Sequence, residues 1–227
     1  QATVIFNAND GTDTPATKTQ IIGSADTTIR GNLEANTFAL KDWTFNGWNT
    51  KPNGSGDRYT NGQLVTLTKD GTLPLYAQWI KESADGSITV PGKDNKPGTP
   101  DDVTVKPNPA PAPGENGKPG KNEDGSIDVP KGGSVETPKG EIKLPDGGTV
   151  KPDGTVIIPD PSKPGGTTEV DPANPDNPPA GTYLVTYHPG AATGSKPKFV
   201  YVKNGTDHIV AANSFSYDDH VFAYWTG

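Results

Sequence analysis

The aromatic residues divide this chain of 227 residues into three parts. All 17 Trp, Tyr and Phe lie in residues 1–81 or 182–227, and the 100 residues between them contain none. Large aromatic side chains supply much of the burial energy of a small domain. We therefore expect an N-terminal module (residues 1–81) and a C-terminal module (residues 182–227), joined by a middle segment (residues 82–181) without a large globular core.

The middle segment also carries the unusual composition. It holds 19 of the 24 Pro, 16 of the 28 Gly and, with ten Lys against 17 Asp plus Glu, the whole formal net charge of −7. The acidic charge argues against nucleic acid or an anionic membrane as a partner. Such a composition predicts an extended, acidic, Pro/Gly-rich stalk or linker between the two modules.

The missing residue types exclude several kinds of site. The chain has no Cys, so it has no disulfide, no thiolate nucleophile and no zinc–sulfur site. No sequence of the G-x-S-x-G type presents a serine nucleophile. No apolar run approaches the roughly 18 residues of a membrane helix. We expect a monomer with no enzyme activity, no cofactor and no direct insertion into a membrane.

The sequence of the N-terminal module predicts mainly β-structure. Alternating or β-branched runs bounded by turn residues are "TVIFNAN", "KTQII", "WTFNGWNT", "QLVTLT" and "PLYAQWI". Regular alternation would place Phe45 and Trp48 on opposite faces of their strand, and Leu75, Ala77 and Trp79 on one face. Residues 33–40 could add one or two helical turns. This pattern predicts four or five strands with at most one short helix.

Three motifs of this module occur in order: "FNGWNT", "YTNG" and "LYAQW". Together they resemble the Listeria–Bacteroides repeat of the internalin B-repeat type. The resemblance covers nearly all of residues 2–80 and implies a β-grasp-like fold in a bacterial surface protein, with a structural or host-contacting role and no catalysis. It also implies core and turn positions, rather than a binding site, for Phe45, Gly47, Trp48, Tyr59, Gly62, Leu75, Tyr76 and Trp79.

The C-terminal module repeats the front of the N-terminal module. "LVTYHPG" aligns with "VIFNAND", the Asn-Ser-Phe at 213–215 aligns with the Asn-Thr-Phe at 36–38, and "FAYW" aligns with "FNGW". Phe222 and Trp225 are thus the counterparts of Phe45 and Trp48, whereas Tyr224 replaces Gly47. Since Gly is required where φ is positive or backbones approach closely, Tyr224 predicts a different local turn.

The rest of the repeat has no counterpart in the C-terminal module. Tyr59, Gly62 and the "LYAQW" strand are not matched before Gly227. A repeat without these strands has an open sheet edge. We therefore expect residues 182–227 to be the first part of an incomplete second repeat, which continues past Gly227.

The middle segment has a period of its own. Pro recurs at 130, 138, 145, 152 and 159, and the units between them combine a turn dipeptide with a few β-prone residues. Two interpretations are open: a disordered linker, or a ladder of very short strands over residues 124–160 in which Val135, Ile142, Val150 and Val156 recur once per unit. The flanking stretches 106–123 and 160–181 lack this pattern and are expected to be extended, polyproline-like spacers.

One loop contains oxygen ligands around a Gly turn. Asp94, Asn95, Asp101 and Asp102 lie in "DNKPGTPDD", which loosely resembles a calcium loop, although a Lys stands at one ligand position and the spacing differs from an EF-hand. The simpler interpretation is a set of solvated turn residues.

These observations predict a structural spacer or stalk of a Gram-positive surface protein, which projects a functional domain from the cell wall. The resemblance implies an extracellular location, with anchoring through a region outside this chain. One alternative is an adhesin repeat that binds a host-surface protein or a glycan. Another is an accessory region of a large secreted glycosidase or peptidase.

Overall fold

The computed structural model describes residues 1–192 and 194–227. Over these residues the chain is all-β, with eighteen strands and no helix. One consequence is that no helix in the described part is long and apolar enough to span a lipid bilayer. The strands form three sheets of eleven, five and two strands, which contain both parallel and antiparallel pairs.

The first seven strands begin in the N-terminal module. They are β1 (Ala2–Asn7), β2 (Thr17–Ile22), β3 (Thr28–Asn32), β4 (Thr44–Asn49), β5 (Arg58–Tyr59), β6 (Leu64–Thr68) and β7 (Thr72–Glu82). The middle segment contributes β8 (Ile88–Val90), β9 (Val103–Lys106), β10 (Gly120–Lys121), β11 (Ile127–Val129), β12 (Gly133–Glu136), β13 (Glu141–Leu144), β14 (Gly148–Val150), β15 (Val156–Pro159) and β16 (Thr167–Val170). The C-terminal module contributes β17 (Thr182–Tyr187) and β18 (Lys198–Lys203).

Strand β7 is central to the N-terminal module. It pairs in parallel with β1, where Phe6 lies opposite Leu75, and antiparallel with β4, where Trp48 lies opposite Ala77. Its inward residues Leu75, Ala77 and Trp79 are buried, in agreement with the predicted common face. The sheet of β3 and β6 covers this core with Ile29 and Val65, which are buried as well.

Strand β4 departs from the regular alternation expected of it. Phe45 pairs with Trp79 and Trp48 pairs with Ala77, so β4 has one residue more than β7 between these pairs and forms a β-bulge. Gly47 lies in the bulge with φ +96°. Because of the extra residue, Phe45 and Trp48 both pack into the core, with ring centroids 4.8 Å apart.

The middle segment differs from the extended stalk expected for it. Its strands form two facing sheets, with β8, β9, β12 and β13 in the eleven-stranded sheet and β10, β11, β14, β15 and β16 in the five-stranded sheet. The inward aliphatic side chains of both sheets form one buried cluster. The middle segment contributes no aromatic residue to this cluster, because it contains none. Val135, Ile142, Val150 and Val156 all belong to this cluster and are fully buried. We call the two facing sheets the aliphatic sandwich.

The sandwich forms because its short strands combine their aliphatic residues. A single strand of three or four residues buries little area, but each buried Val or Ile contributes about 1.5–3 kcal/mol, and two facing sheets add these contributions together. The predicted short strands are present over residues 124–160. They do not form one ladder, because β12 and β13 cross to the other sheet.

Residues 106–123 and 160–181, which were expected to be extended spacers, also contain turns and short strands. Asn108 N–H donates to the Gly117 carbonyl at 2.8 Å, which closes the loop between β9 and β10. In the second stretch, Asp160 N–H donates to the Gly166 carbonyl at 2.9 Å, and β16 then pairs with β15. Turn hydrogen bonds of this kind compete successfully with a polyproline conformation.

The eleven-stranded sheet runs through all three parts of the chain. Its order is β17-β18-β13-β12-β9-β8-β7-β1-β2, with β4 and β5 attached at β7. Strand β7 passes from the N-terminal module into the sandwich, where its last residues pair with β8. At the other end, β18 pairs in parallel with β13, with Ile142 opposite Phe199.

Candidate binding cleft in the C-terminal module

The two terminal modules contain the same aromatic cluster. In the N-terminal module, Trp48 lies 4.8 Å from Phe6, 6.2 Å from Phe38 and 4.8 Å from Phe45, measured between ring centroids. In the C-terminal module, the corresponding distances from Trp225 are 5.1 Å to Tyr187, 6.2 Å to Phe215 and 4.8 Å to Phe222. The two clusters therefore have nearly the same arrangement of rings around their Trp.

Short-range backbone features of the cluster are duplicated too. Asn36 and Phe38 exchange two hydrogen bonds of 2.9 Å between the Asn amide and the Phe backbone, and Asn213 with Phe215 exchanges the same two at 2.9 and 3.0 Å. Asp42 and Asp219 occupy the same place in a turn, with φ of 65° and 60°. These turns bring the Phe and Trp rings of each module together.

The structure corrects the alignment of the first strands by one residue. The sequence alignment places Thr186 opposite Phe6, whereas in the structure Tyr187 takes the place of Phe6. Tyr187 pairs with Lys198 as Phe6 pairs with Lys18. Side chains on a strand alternate between faces, so the shift of one residue decides which side chain enters the cluster.

Within the described residues, the cluster of the C-terminal module is not covered by a strand in the way that β7 covers its counterpart. In the N-terminal module, β7 lies between β1 and β4. Among the residues that the structure describes, β17 pairs with β18 alone, and no strand separates it from residues 222–225. The hydroxyl of Tyr187 instead hydrogen-bonds His208 at 2.7 Å and accepts from the Ala211 N–H at 2.9 Å, which ties the chain to β17.

A cleft of about 930 Å³ lies beside this cluster. It lies between the end of β17 and the C-terminal residues, and the walls include Thr186, Phe215, Phe222 and Trp225. His188, Tyr217 and His220 also line it, and the rings of Tyr217 and His220 are 4.3 Å apart. Its described lining contains no Lys, Arg, Asp or Glu. The cleft is thus an aromatic-walled space at the end of β17, lined by two His and by no Lys, Arg, Asp or Glu among the described residues.

The turn around Tyr224 explains why Gly is not needed there. Gly47 has φ +96°, and a Cβ on it would lie 3.1 Å from the Arg58 guanidinium. Tyr224 lies in a segment that is not part of a strand, and its φ is not positive. Its side chain is 73% exposed, so it points away from the cluster and does not fill the space left by Gly47.

The remaining motif residues lie in or around the core of the N-terminal module. Tyr59 pairs with Trp48 and is half-buried, Tyr76 lies on the outer face of β7, and Gly62 lies in a turn with φ +72°. Leu75 and Trp79 are buried, and the Trp79 indole N–H donates to the Ala8 carbonyl at 2.8 Å. Leu75 and Trp79 are therefore part of the core packing of β7, whereas Gly62 shapes a turn.

The carboxylates of the acidic loop cap backbone N–H groups. Asp101 accepts from the Asp94 N–H and Asp102 from the Gly98 N–H, each at 3.0 Å, and Asp94 accepts from the Lys96 N–H at 2.8 Å. Asn95 has φ 54°, as turn residues often do. Burial, with the nearby charges of Asp94 and Asp101, raises the pKa of Asp102 to about 6. Within the described ranges no group of three or more His, Cys, Asp or Glu is placed to hold a metal ion.

Sequence reasoning missed the two strand aromatics of the clusters, Phe6 and Tyr187. Their signal is the inward alternation of Ala2, Val4 and Phe6 in β1, which Val185 and Tyr187 repeat in part in β17, whereas Tyr183 is exposed. In comparisons with known proteins, no family model, curated protein or solved structure matches the chain.

Proposed function

We propose that this chain is a rigid structural spacer of a bacterial surface protein, which holds a functional domain away from the cell wall. The observation that carries the proposal is the eleven-stranded sheet, which continues through the N-terminal module, the sandwich and the C-terminal module. A sheet shared by neighbouring units resists bending at the joints, because bending there would break backbone hydrogen bonds.

Side-chain contacts reinforce both joints. At the first joint, Gly54 lies so close to Pro152 that a Cβ on it would be 2.5 Å from the Pro ring, and the charge of Arg58 faces Asp124. At the second joint, Lys196 and Lys198 lie 3.8 and 3.9 Å from Glu136 and Glu141. Similarity of the sequence motifs to Listeria–Bacteroides repeats favours an extracellular, wall-anchored setting for such a spacer.

Small-angle scattering on the whole chain tests the rigidity that this role needs. We expect the bell-shaped normalised Kratky curve of a folded particle. The control is Ile142→Asp, which places a carboxylate in the aliphatic sandwich and should give the rising curve of a flexible chain. A rising curve for the unaltered chain would contradict the rigid spacer.

A second experiment tests the spacing itself. The chain is inserted between a wall anchor and a small reporter domain on a bacterial surface, and access of an antibody to the reporter is measured. We expect better access with the unaltered chain than with Ile142→Asp, whose middle segment can collapse. Equal access with both versions would remove the spacing role.

A further inference from the structure

We propose that β1 and β7 form a mechanical clamp, with which the N-terminal module bears tension applied along the chain. A mechanical clamp is a pair of neighbouring strands that is loaded in shear, so that its hydrogen bonds must break together. This inference goes beyond the spacer role, because that role concerns bending at the joints, whereas the clamp concerns resistance to pulling.

The first argument is the direction of the two strands. β1 and β7 are parallel over five residue pairs, the first of which joins Thr3 and Thr72. Tension along the backbone enters β1 at Ala2 and leaves β7 at Glu82, whatever adjoins the chain at either end. In a parallel pair these two points lie at opposite ends. Tension therefore slides the strands past each other instead of peeling them apart.

The second argument is that side chains in the core oppose this sliding. Val4 and Phe6 of β1 are 0% and 2% exposed, and Phe6 lies opposite the buried Leu75. A slip of one residue would turn Val4 and Phe6 to the outer face of the sheet. A slip of two residues would draw the Phe6 ring away from Trp48, whose centroid is 4.8 Å away. The pair thus has no neighbouring register that preserves its core.

The third argument is that two side-chain hydrogen bonds extend the pair beyond the end of β1. The Asn9 amide donates to the Ala77 carbonyl at 2.9 Å, and the Trp79 indole N–H donates to the Ala8 carbonyl at 2.8 Å. The Asn9 amide also donates to the Pro52 carbonyl at 3.0 Å. These bonds tie the chain to β7 where the backbone pairing of β1 has ended, so sliding must break them as well.

The other edge of β1 is held too. β2 pairs with β1 over its whole length. The Gln20 side chain of β2 donates to the Asn32 carbonyl at 2.8 Å and accepts from the Glu34 N–H at 3.0 Å. β1 therefore cannot slide out alone without losing β2, and the two strands cannot slide out together without losing these bonds.

The test pulls the whole chain in optical tweezers through two introduced thiols, which are unique because the chain has no Cys. Gln1→Cys with Ser83→Cys loads the pair in shear, whereas Gln1→Cys with Thr72→Cys pulls on one end and peels the strands apart. All three positions are exposed. We expect an unfolding force about threefold higher or more in shear, because the bonds of five pairs break together rather than singly. The shear event should release roughly 250 Å of chain.

One variant tests the far end of the clamp. Asn9→Gly removes the bond to Ala77, and Gly tolerates the φ of 47° at this position. It should lower the shear force by roughly a fifth, since one bond among several is lost. It should leave the peeling force unchanged, because peeling starts at the opposite end. The matched control is Asn32→Ala, which removes a bond of the same kind and length to the Gly62 carbonyl outside the clamp and should change neither force.

Three outcomes would overturn the proposal. They are equal unfolding forces in the two pulling geometries, a shear event that releases much less chain than residues 1–83 contain, and an effect of Asn9→Gly that is absent or equal in both geometries. Urea denaturation checks that both thiol pairs leave the same free energy of unfolding. The spacer role fails separately, because a flexible middle segment would contradict that role but lies outside the pulled length.

Discussion

The N-terminal and C-terminal modules have the same four-ring cluster but differ in how deeply it is buried. Trp48 is 1% exposed beneath β3, β6 and β7, whereas its counterpart Trp225 is only half-buried and the neighbouring Phe222 is 46% exposed. The geometry of the cluster depends on a strand pair and two short turns, which both modules have. Burial depends on β3, β6 and β7, which have no counterpart over the second cluster among the residues that the structure describes. The arrangement of the rings therefore depends on residues close to them in the sequence. Their contribution to the free energy of unfolding depends on strands that are distant in the sequence.

The largest expected difference comes from removing the central Trp of each cluster. Trp48→Ala should lower the free energy of unfolding by about 4 kcal/mol, because it leaves a large cavity in a closed core. Trp225→Ala should cost about 1–2 kcal/mol, because much of its surroundings is already open to water. Urea denaturation followed by circular dichroism measures both free energies of unfolding. Equal losses would show that the two Trp side chains contribute equally to stability despite their different burial.

The next effect tests whether the aliphatic sandwich supports both modules. Ile142→Ala should lower the free energy of unfolding by about 3 kcal/mol, since Ile142 is fully buried between the two sheets. Thr167→Ala, at an exposed position of β16, is the control and should change it by less than about 0.5 kcal/mol. A disordered middle segment would instead make the two substitutions indistinguishable in thermal denaturation.

A smaller effect tests the bulge that distinguishes β4 from residues 222–225. Gly47→Ala should cost about 2 kcal/mol, because its φ is +96° and the added Cβ meets Arg58. Gly62→Ala has a similar φ of +72° but open space around the Cβ, so it should cost only about 1 kcal/mol. Tyr224→Gly should be nearly neutral, and a loss equal to that of Gly47→Ala would show that both modules share the bulge. Differential scanning calorimetry compares the three.

The smallest effect is a pH dependence that arises from Asp102, in the loop between β8 and β9. Because burial raises the pKa of Asp102 from its usual value to about 6 in the folded chain, its folding contribution is fully present below about pH 4 and lost as the pH rises through 6. After allowance for solvent screening, the loss amounts to about 1 kcal/mol. Asp102→Asn should remove it, which denaturation at pH 4 and pH 7 can measure. A variant with the same pH dependence as the parent would rule out Asp102 as its source.

The strands of the N-terminal module could be predicted because their pattern is local. β1, β2, β4, β6 and β7 each have alternating or β-branched sequences between turn residues, as expected. Strand β3 was missed because "TIRGN" has only one large apolar residue, Ile29. The bulge could not be predicted, since it depends on how β4 pairs with β7 and not on β4 itself.

The sandwich could not be predicted for a different physical reason. Each proline-punctuated unit suggests one short strand at most, and no unit is stable alone. Stability comes from two facing sheets whose members are far apart in sequence, such as Val105 in β9 and Val135 in β12. The candidate cleft could not be predicted for a related reason, because its walls combine the end of β17 with residues 213–226, which approach each other only in the folded chain.

The position of β7 also fixes an order of events during synthesis. Strand β1 cannot form its parallel pair until residues 72–76 have left the ribosome, because these are its partners. The last residues of the same strand then offer β8 its first edge, so the sandwich begins to assemble on a module that is already closed. The nascent chain is therefore expected to mature from its N-terminus in a single direction, with β18 docking on β13 as the final pairing.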